Sequence, residues 1–140
     1  MRWIPGMLLV LGLVGALASC GGGDPRLERW EGVDTATVLA QAPLEEAGFV
    51  AFKRRQCALC HGPNDSAVAP SHYGLYGSTV QLDDGTTVVA DAAYLRESIL
   101  YADRKIVAGY RKSMANYAGV IPTREVDAIV AYIKTLEASP

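Results

Sequence analysis

The residues best suited to chemistry form one short run, in which two cysteines stand three positions apart and a histidine follows the second. They are Cys57, Cys60 and His61, in the stretch KRRQCALCHG. C-x-x-C-H is the pattern through which c-type haem is attached to a polypeptide. Two thiols at this spacing can reach the two vinyl groups of one porphyrin, and the adjacent imidazole can then bind the iron. The spacing therefore predicts one covalent haem c.

Three other uses of these residues compete with haem attachment. A zinc site needs four ligands, and His72 is the only other histidine that could complete one. A thioredoxin-like pair follows a strand in a βαβ unit, whereas the segment before Cys57 has a helical pattern. A structural disulfide would leave His61 without a role. Haem attachment uses all three residues and is the favoured interpretation.

An iron that carries electrons needs a second axial ligand, and methionine sulfur is a common one. Met114 is the only methionine outside the N-terminal segment that we expect to be removed, and its polar neighbours in GYRKSMANYAG do not suit a core position. We expect Met114 to bind the iron and interpret His72 as a loop or surface histidine. The other ring nitrogen of His61 needs an acceptor, which we expect to be the Pro70 carbonyl.

The first nineteen residues have the pattern of a secretion signal. Arg2 precedes an apolar run that is about as long as a signal-peptide core and short for a membrane span. The run ends in LASC, at Cys20, which resembles the lipobox of bacterial lipoproteins. We therefore expect a lipoprotein signal peptide at residues 1–19, a lipid on Cys20, and a protein anchored on the periplasmic or extracytoplasmic face of a membrane. A retained helical anchor or ordinary cleavage is the alternative.

The net charge and the number of cysteines limit the classes of function that suit this chain. The formal net charge is −2 and no basic run stands out, which gives no case for a nucleic-acid partner. The chain has three cysteines, so lipid on Cys20 leaves Cys57 and Cys60 as one local pair. Free thiols rarely persist in an oxidising compartment without a role, which again favours a function for the pair.

Three helices and one hairpin are predicted to position these residues. Residues 20–42 have little periodicity, and we interpret them as a flexible tether to a folded domain at 43–140. A helix over 43–56 leads into the cysteine motif, a hairpin turns at Asp84-Gly85, and Asp91 caps a second helix. A third helix follows Pro122, with one apolar face formed by Val126, Ile129, Val130, Ile133 and Leu136. The fold class is all-α. The predicted apolar core is small for a domain of this length, which suggests that the haem completes it.

With these residues in place, the chain resembles class I cytochromes c over about residues 43–136. It looks most like the cytochrome c domain fused to subunit II of some bacterial haem–copper oxidases. The matching stretches are GFVAFKRRQCALCHG, APSHYGLYGSTVQLDDGTTVVADAAYLRESIL, KIVAGYRKSMANYAG and EVDAIVAYIKTL. The copper-binding and transmembrane parts of that subunit are absent from this sequence, so lipid on Cys20 would supply the membrane attachment.

The resemblance also implies contacts within the fold. The first helix of the domain should cross the last one, through Gly48 and Phe52 on one side and Tyr132 and Leu136 on the other. Pro70 should support the histidine, and the methionine should close the site. Ala115 stands where this family usually has a proline after the axial methionine, which implies a looser ligand loop.

The function that the resemblance implies is electron transfer and not enzymatic catalysis. We expect a membrane-tethered c-type cytochrome that carries single electrons in a respiratory chain, to or within a terminal oxidase or related complex. Its partners would be redox proteins, such as a quinol-oxidising complex, and no small-molecule substrate is expected. Arg111, Lys112 and residues 53–55 form a basic rim or are simply solvated charges. The alternative function is a haem enzyme or gas-binding sensor with an open sixth iron position.

Overall fold

The computed structural model describes residues 25–137, so the predicted signal peptide and Cys20 lie outside the described residues. Four α-helices are present in this range: α1 (Thr35–Gln41), α2 (Leu44–Arg54), α3 (Ala92–Leu100) and α4 (Thr123–Lys134). Strands β1 (Thr79–Gln81) and β2 (Thr87–Val89) form an antiparallel hairpin, and 3-10 helices occur at Pro25–Trp30 and Cys57–Leu59. The predicted small, mostly helical fold with one short hairpin is confirmed. No helix among the described residues has the length and apolar character needed to span a membrane.

The helix cap and the hairpin turn that the sequence predicts are both present. Asp91 Oδ1 accepts a hydrogen bond from the Tyr94 backbone N–H at 2.8 Å and so starts α3. Gly85 has a φ of +84°, a conformation that glycine adopts without steric cost. Asp84 Oδ1 accepts the Thr86 N–H at 2.9 Å across the same turn. Short-range sequence signals therefore placed these two elements correctly.

Helices α2 and α4 cross at very close range because a glycine lies at the crossing. A Cβ on Gly48 would lie 1.9 Å from a backbone carbonyl oxygen of α4 and 2.7 Å from Tyr132 Cβ. The rings of Phe49 and Phe52 pack against the Tyr132 ring, with centroids 5.5 and 5.3 Å apart. Leu136 is partly buried against the same core. The helix crossing that the resemblance implied is therefore present.

The main core lies between α2, α3, α4 and the hairpin. Its buried residues include Phe52, Val80, Leu82, Leu95, Ile99, Val126, Ile129, Val130 and Ile133. All four of the predicted inward residues of α4 from Val126 to Ile133 are buried. Leu44, the first residue of α2, is exposed although it is apolar.

Part of the predicted tether is folded against the domain. Residues 35–41 form α1, and Val38 and Ala42 are buried with an alanine from each of α2 and α4. Arg124 of α4 donates from Nε to the Leu39 carbonyl at 3.0 Å and from Nη2 to the Ala42 carbonyl at 2.7 Å. These bonds satisfy carbonyls at the end of α1 that have no partner within the helix.

Contacts with the domain extend further back along the same segment. The indole Nε1 of Trp30 donates to Glu46 Oε2 at 2.5 Å, and Arg29 Nη2 lies 3.4 Å from Glu46 Oε1. The expected boundary at Pro43 therefore differs from the structure, in which ordered contacts begin before α1. The segment docks through contacts between residues that are far apart in the sequence. The low periodicity of residues 20–42 gave no sign of these contacts.

Candidate functional site

The predicted site residues meet in one cleft. The cleft has a volume of about 590 Å³, and Cys57, Cys60, His61, Pro70 and Met114 all line it. Much of the remaining lining consists of apolar side chains from α2, β1, α3, α4 and the loops between them, including Phe52, Leu75, Val80, Leu95, Ile99, Ile106, Ile129 and Ile133. The fold therefore brings residues from three separate stretches of sequence to one largely apolar cavity.

An unusual turn connects α2 to the cysteine motif. Gln56 has φ +58° and ψ 27°, and it is the one non-glycine residue with positive φ within the described range. This left-handed conformation is uncommon for residues with a side chain. Cys57 is partly buried, and this burial raises the pKa of its thiol, whereas Cys60 is exposed. The two thiols are not joined by a disulfide, so both are available for attachment to a ligand.

An ion pair fastens the same turn to α4. Arg55 donates from Nε to Glu125 Oε1 at 2.6 Å and from Nη2 to Oε2 at 3.1 Å, and only 6% of the Glu125 side chain is exposed. The carboxylate raises the pKa of Arg55. Because Arg55 lies two positions before Cys57, the pair holds the start of the attachment motif against α4. From the sequence, Arg55 was expected either to belong to a basic rim or to be a solvated charge. Its pairing with Glu125, 70 positions away, was not predicted.

The ring of His61 has the hydrogen-bond partner that the sequence analysis expected. Its Nδ1 lies 2.8 Å from the Pro70 carbonyl oxygen. A carbonyl can only accept, so Nδ1 carries the proton and Nε2 keeps the lone pair that a metal would bind. Burial lowers the pKa of His61, and the bond to Pro70 partly offsets this effect. The imidazole is therefore held in its neutral, ligating form.

The loop that contains Pro70 is held in place by hydrogen bonds between its own residues. The Ser71 backbone N–H donates to Asp65 Oδ1 at 2.7 Å, and Ser71 Oγ donates to the carbonyls of Gly62 and Pro63 at 3.1 and 3.0 Å. These bonds tie the residue after Pro70 to the residues after His61. The loop therefore has a defined conformation that keeps the carbonyl beside the imidazole.

His72 lies in the loop after Pro70, as expected from the sequence, but its ring is half-buried and packs against other rings. Its ring stacks on His61 with centroids 4.0 Å apart and planes 13° from parallel, and it lies edge-on to Phe52 at 5.6 Å. Burial, followed by the charge of His61, lowers the pKa of His72 to about 3, so this ring is also neutral at pH 7. The loop folds back at Pro70 and brings the two histidines together, an arrangement that their spacing in the sequence does not indicate.

The segment before Met114 is attached to the hairpin. The Asp83 N–H donates to the Ile106 carbonyl and the Ala108 N–H donates to the Gln81 carbonyl, each at 2.9 Å. A bridge between Leu82 and Val107 lies between these two bonds. Residues 106–108 therefore lie beside the end of β1 through one isolated antiparallel bridge, a contact that was not predicted from the sequence.

The segment after Met114 is attached to the end of α3. The N–H groups of Tyr117 and Ala118 donate to the carbonyls of Ile99 and Leu100, at 3.3 and 3.1 Å. We call the intervening residues 109–116 the methionine loop. Its two ends are fixed on different elements, while Met114 itself lines the cleft with 39% of its surface exposed.

The donor set suits a haem. Two free thiols, a neutral imidazole and a thioether line one cavity whose walls are mostly apolar, and its volume lies within the range of ordinary cofactor sites. Within residues 25–137, no three His, Cys, Asp or Glu side chains are grouped so that they could hold a metal ion by themselves. The zinc alternative therefore receives no support from the described geometry.

Comparison with known proteins identifies the family. The family model described as Cytochrome c matches residues 45–137, which is well over half of the chain. No curated protein matches the sequence. The matched range contains the cysteine motif, both histidines and the methionine loop. The chain therefore belongs to the cytochrome c family, and it is a haem-based electron carrier that binds haem c covalently.

Proposed function

We propose that this chain is a lipid-tethered cytochrome that carries single electrons in a respiratory chain, to or within a terminal oxidase or a related complex. The observation that carries the proposal is the shared cleft, in which the C-x-x-C-H motif and Met114 line the same cavity although they are far apart in the sequence. A site closed by protein ligands at both axial positions suits electron transfer better than binding of an external molecule.

Each site residue has a defined role in this proposal. Cys57 and Cys60 would hold the haem through thioether bonds, and His61 Nε2 and the Met114 sulfur would bind its iron. The bound iron supplies a one-electron change between ferric and ferrous states. The Pro70 carbonyl orients the imidazole, the apolar lining excludes water, and the soft methionine sulfur favours the ferrous state.

The sixth iron position separates this proposal from a haem enzyme or gas-binding sensor. If Met114 binds the iron, the ferric protein shows the weak long-wavelength band of methionine ligation, and the ferrous protein does not bind carbon monoxide readily. Absorption spectra of the purified wild type, oxidised and reduced, with and without carbon monoxide, measure both properties. Rapid binding of carbon monoxide by the wild type would favour the open-site alternative.

Membrane attachment is supported by the LASC sequence that ends the apolar run. We expect wild-type protein in the membrane fraction of the expressing cells, released by detergent and not by high salt. The variant Cys20→Ser keeps the apolar run but lacks the thiol that would carry lipid, and it should lose the lipid mass on its N-terminal peptide. Recovery of unmodified wild-type protein in the soluble fraction would contradict the lipid anchor.

Docking to an acidic redox partner is supported by exposed basic residues close to the cleft. Arg111 lines the cleft and is exposed, and Lys112, Lys53 and Arg54 are exposed as well. Complementary charge speeds association in a salt-dependent way. We expect Lys112→Glu to slow electron transfer to the terminal oxidase at low salt, whereas Lys134→Glu, on an exposed site of α4, should have little effect. Equal effects of the two variants would argue against a basic rim.

Two versions of the proposal differ in how firmly the partner is held. A free shuttle binds its partners through a small, transient interface, whereas a fixed subunit stays with one complex. Mild detergent extraction followed by size analysis distinguishes them. We expect the extracted cytochrome to run at the size of a single small protein, and co-migration with a large oxidase would instead assign it to that complex.

A further inference from the structure

One half-buried histidine is not used by the proposed function. His72 lines the cleft, stacks nearly parallel on His61 and makes an edge contact with Phe52. Phe52 in turn packs on Tyr132 at the crossing of α2 and α4. A continuous series of ring contacts therefore connects His61 to the crossing of α2 and α4.

We propose that His72 is a positioning residue that fixes the plane of the His61 ring. This inference rests on the proposed role of His61 as an axial ligand. The bond from Nδ1 to Pro70 O fixes one atom of the imidazole. Hydrogen bonds to carbonyl oxygens tolerate a broad range of directions, so this bond alone leaves the ring free to tilt. Stacking at 4.0 Å with a 13° interplanar angle removes that freedom.

The contact that matters is the ring face of His72, and not a hydrogen bond from its Nδ1. Within the described residues, Nδ1 of His72 is buried and has no hydrogen-bond partner. A phenyl ring at this position would keep a flat surface against His61 and would lose no hydrogen bond from that nitrogen. A leucine would keep an apolar side chain but would present no flat surface. These two substitutions therefore separate stacking from simple filling of space.

The plane of an axial imidazole has a direct spectroscopic signature. In a low-spin ferric haem, the plane of the ligand decides how unpaired spin is distributed over the porphyrin, and the proton shifts of the haem methyl groups report this distribution. A change in ring orientation therefore alters the order and spread of these signals. A loss of global stability with unchanged ligand orientation does not alter them.

The test compares ferric holoproteins by proton NMR: wild type, His72→Phe, His72→Leu and Val38→Ala. Val38 is buried in the cluster beneath α1 and does not line the cleft, so its truncation controls for general destabilisation. We expect His72→Phe and Val38→Ala to keep the wild-type order of haem-methyl shifts. His72→Leu should change their order or shift them by several ppm. If His72→Leu does not accumulate, His72→Val serves the same purpose.

Two results would overturn the inference. One is a wild-type pattern in His72→Leu or His72→Val, which would mean that the Pro70 bond suffices to orient the ring. The other is a shift in His72→Phe or Val38→Ala as large as that in His72→Leu, which would mean that stacking is not the cause. A wild-type ferric spectrum without histidine–methionine ligation would instead refute the proposed function, and with it this inference.

Discussion

At the scale of single residues, the site is controlled by the atoms that hold each ligand in place. His61 has a hydrogen bond on one ring nitrogen and a stacked ring on one face. Met114 has no comparable support from its immediate neighbours, because residues 111–116 are all exposed. Ala115 also lacks the conformational restriction of the proline that the resemblance leads one to expect there. The bond between Met114 and the iron should therefore break more readily than the bond between His61 and the iron.

Replacement of Met114 tests this difference directly. Met114→Ala removes the sulfur but leaves both thioether bonds and His61, so we expect the haem to be retained and the reduction potential to fall. Carbon monoxide should then bind rapidly to the ferrous protein. Ser113→Ala is the matched control, since it alters the adjacent exposed side chain of the same loop. An unchanged spectrum and potential in Met114→Ala would show that another group is the ligand.

The site residues that the sequence predicts, and that the fold brings to one cleft, are those with local or compositional signals. Cys57, Cys60 and His61 follow from spacing alone, and Met114 is predicted because it is the only methionine outside residues 1–19. The stacking of His72 on His61 was not predicted, because it is created by the fold of the loop around Pro70. The pairing of Arg55 with Glu125 was missed for the same reason. Contacts between distant residues leave no periodic pattern that a single sequence could reveal.

At the scale of elements, the hairpin helps to position the methionine loop. The sequence predicted the hairpin from its alternating pattern and its Asp-Gly turn. It gave no indication that residues 106–108 pair with β1, because this stretch has no regular pattern of its own. The pairing sets where the methionine loop begins, so the hairpin contributes to the site although none of its residues is a proposed ligand.

Loss of one pairing bond should loosen the methionine loop. Ala108→Pro removes the N–H that donates to the Gln81 carbonyl, and one such bond contributes about 1 kcal/mol. We expect a weaker methionine band and faster binding of added imidazole to the ferric protein. Ala108→Ser keeps the N–H and should behave like the wild type. Equal imidazole binding by both variants would argue against this role for the hairpin.

The crossing of α2 and α4 allows a sharper stability prediction. Gly48→Ala places a methyl group where a backbone carbonyl oxygen already lies 1.9 Å away, so the helices must separate. We expect a loss of about 3 kcal/mol in the free energy of unfolding, measured by denaturant titration of the holoprotein. Gly62→Ala, whose nearest neighbouring atom would be 3.9 Å away, is the control and should change stability much less. Similar losses in both variants would show that the crossing tolerates separation.

At the scale of the whole molecule, the docked N-terminal segment shortens the connection to the proposed lipid. Contacts with the domain are present at Arg29 and Trp30, so eight residues, 21–28, separate Cys20 from the first of these contacts. A chain of that length reaches at most about 30 Å when fully extended. None of the residues in the buried cluster beneath α1 lines the cleft. The anchor should therefore attach to a part of the domain away from the redox site.

Arg124 should keep this segment in place. Arg124→Ala removes two hydrogen bonds from a charged group to the carbonyls of Leu39 and Ala42. Each such bond contributes about 1.5 kcal/mol or more, so opening of α1 should increase at least tenfold. Hydrogen exchange of the amides of residues 38–42 measures this opening. Arg96→Ala, which breaks a partly exposed pair with Asp127, should leave that exchange unchanged, and comparable rates in both variants would contradict the role of Arg124.

The central claim is that a haem is covalently bound through Cys57 and Cys60. Intact-mass measurement of the denatured wild-type protein, beside the double variant Cys57→Ser/Cys60→Ser, tests it most directly because thioether bonds survive denaturation. We expect the wild type to carry the mass of one haem and the double variant to carry none. A wild-type protein that is compact and stable yet has the mass of the polypeptide without haem would contradict the account.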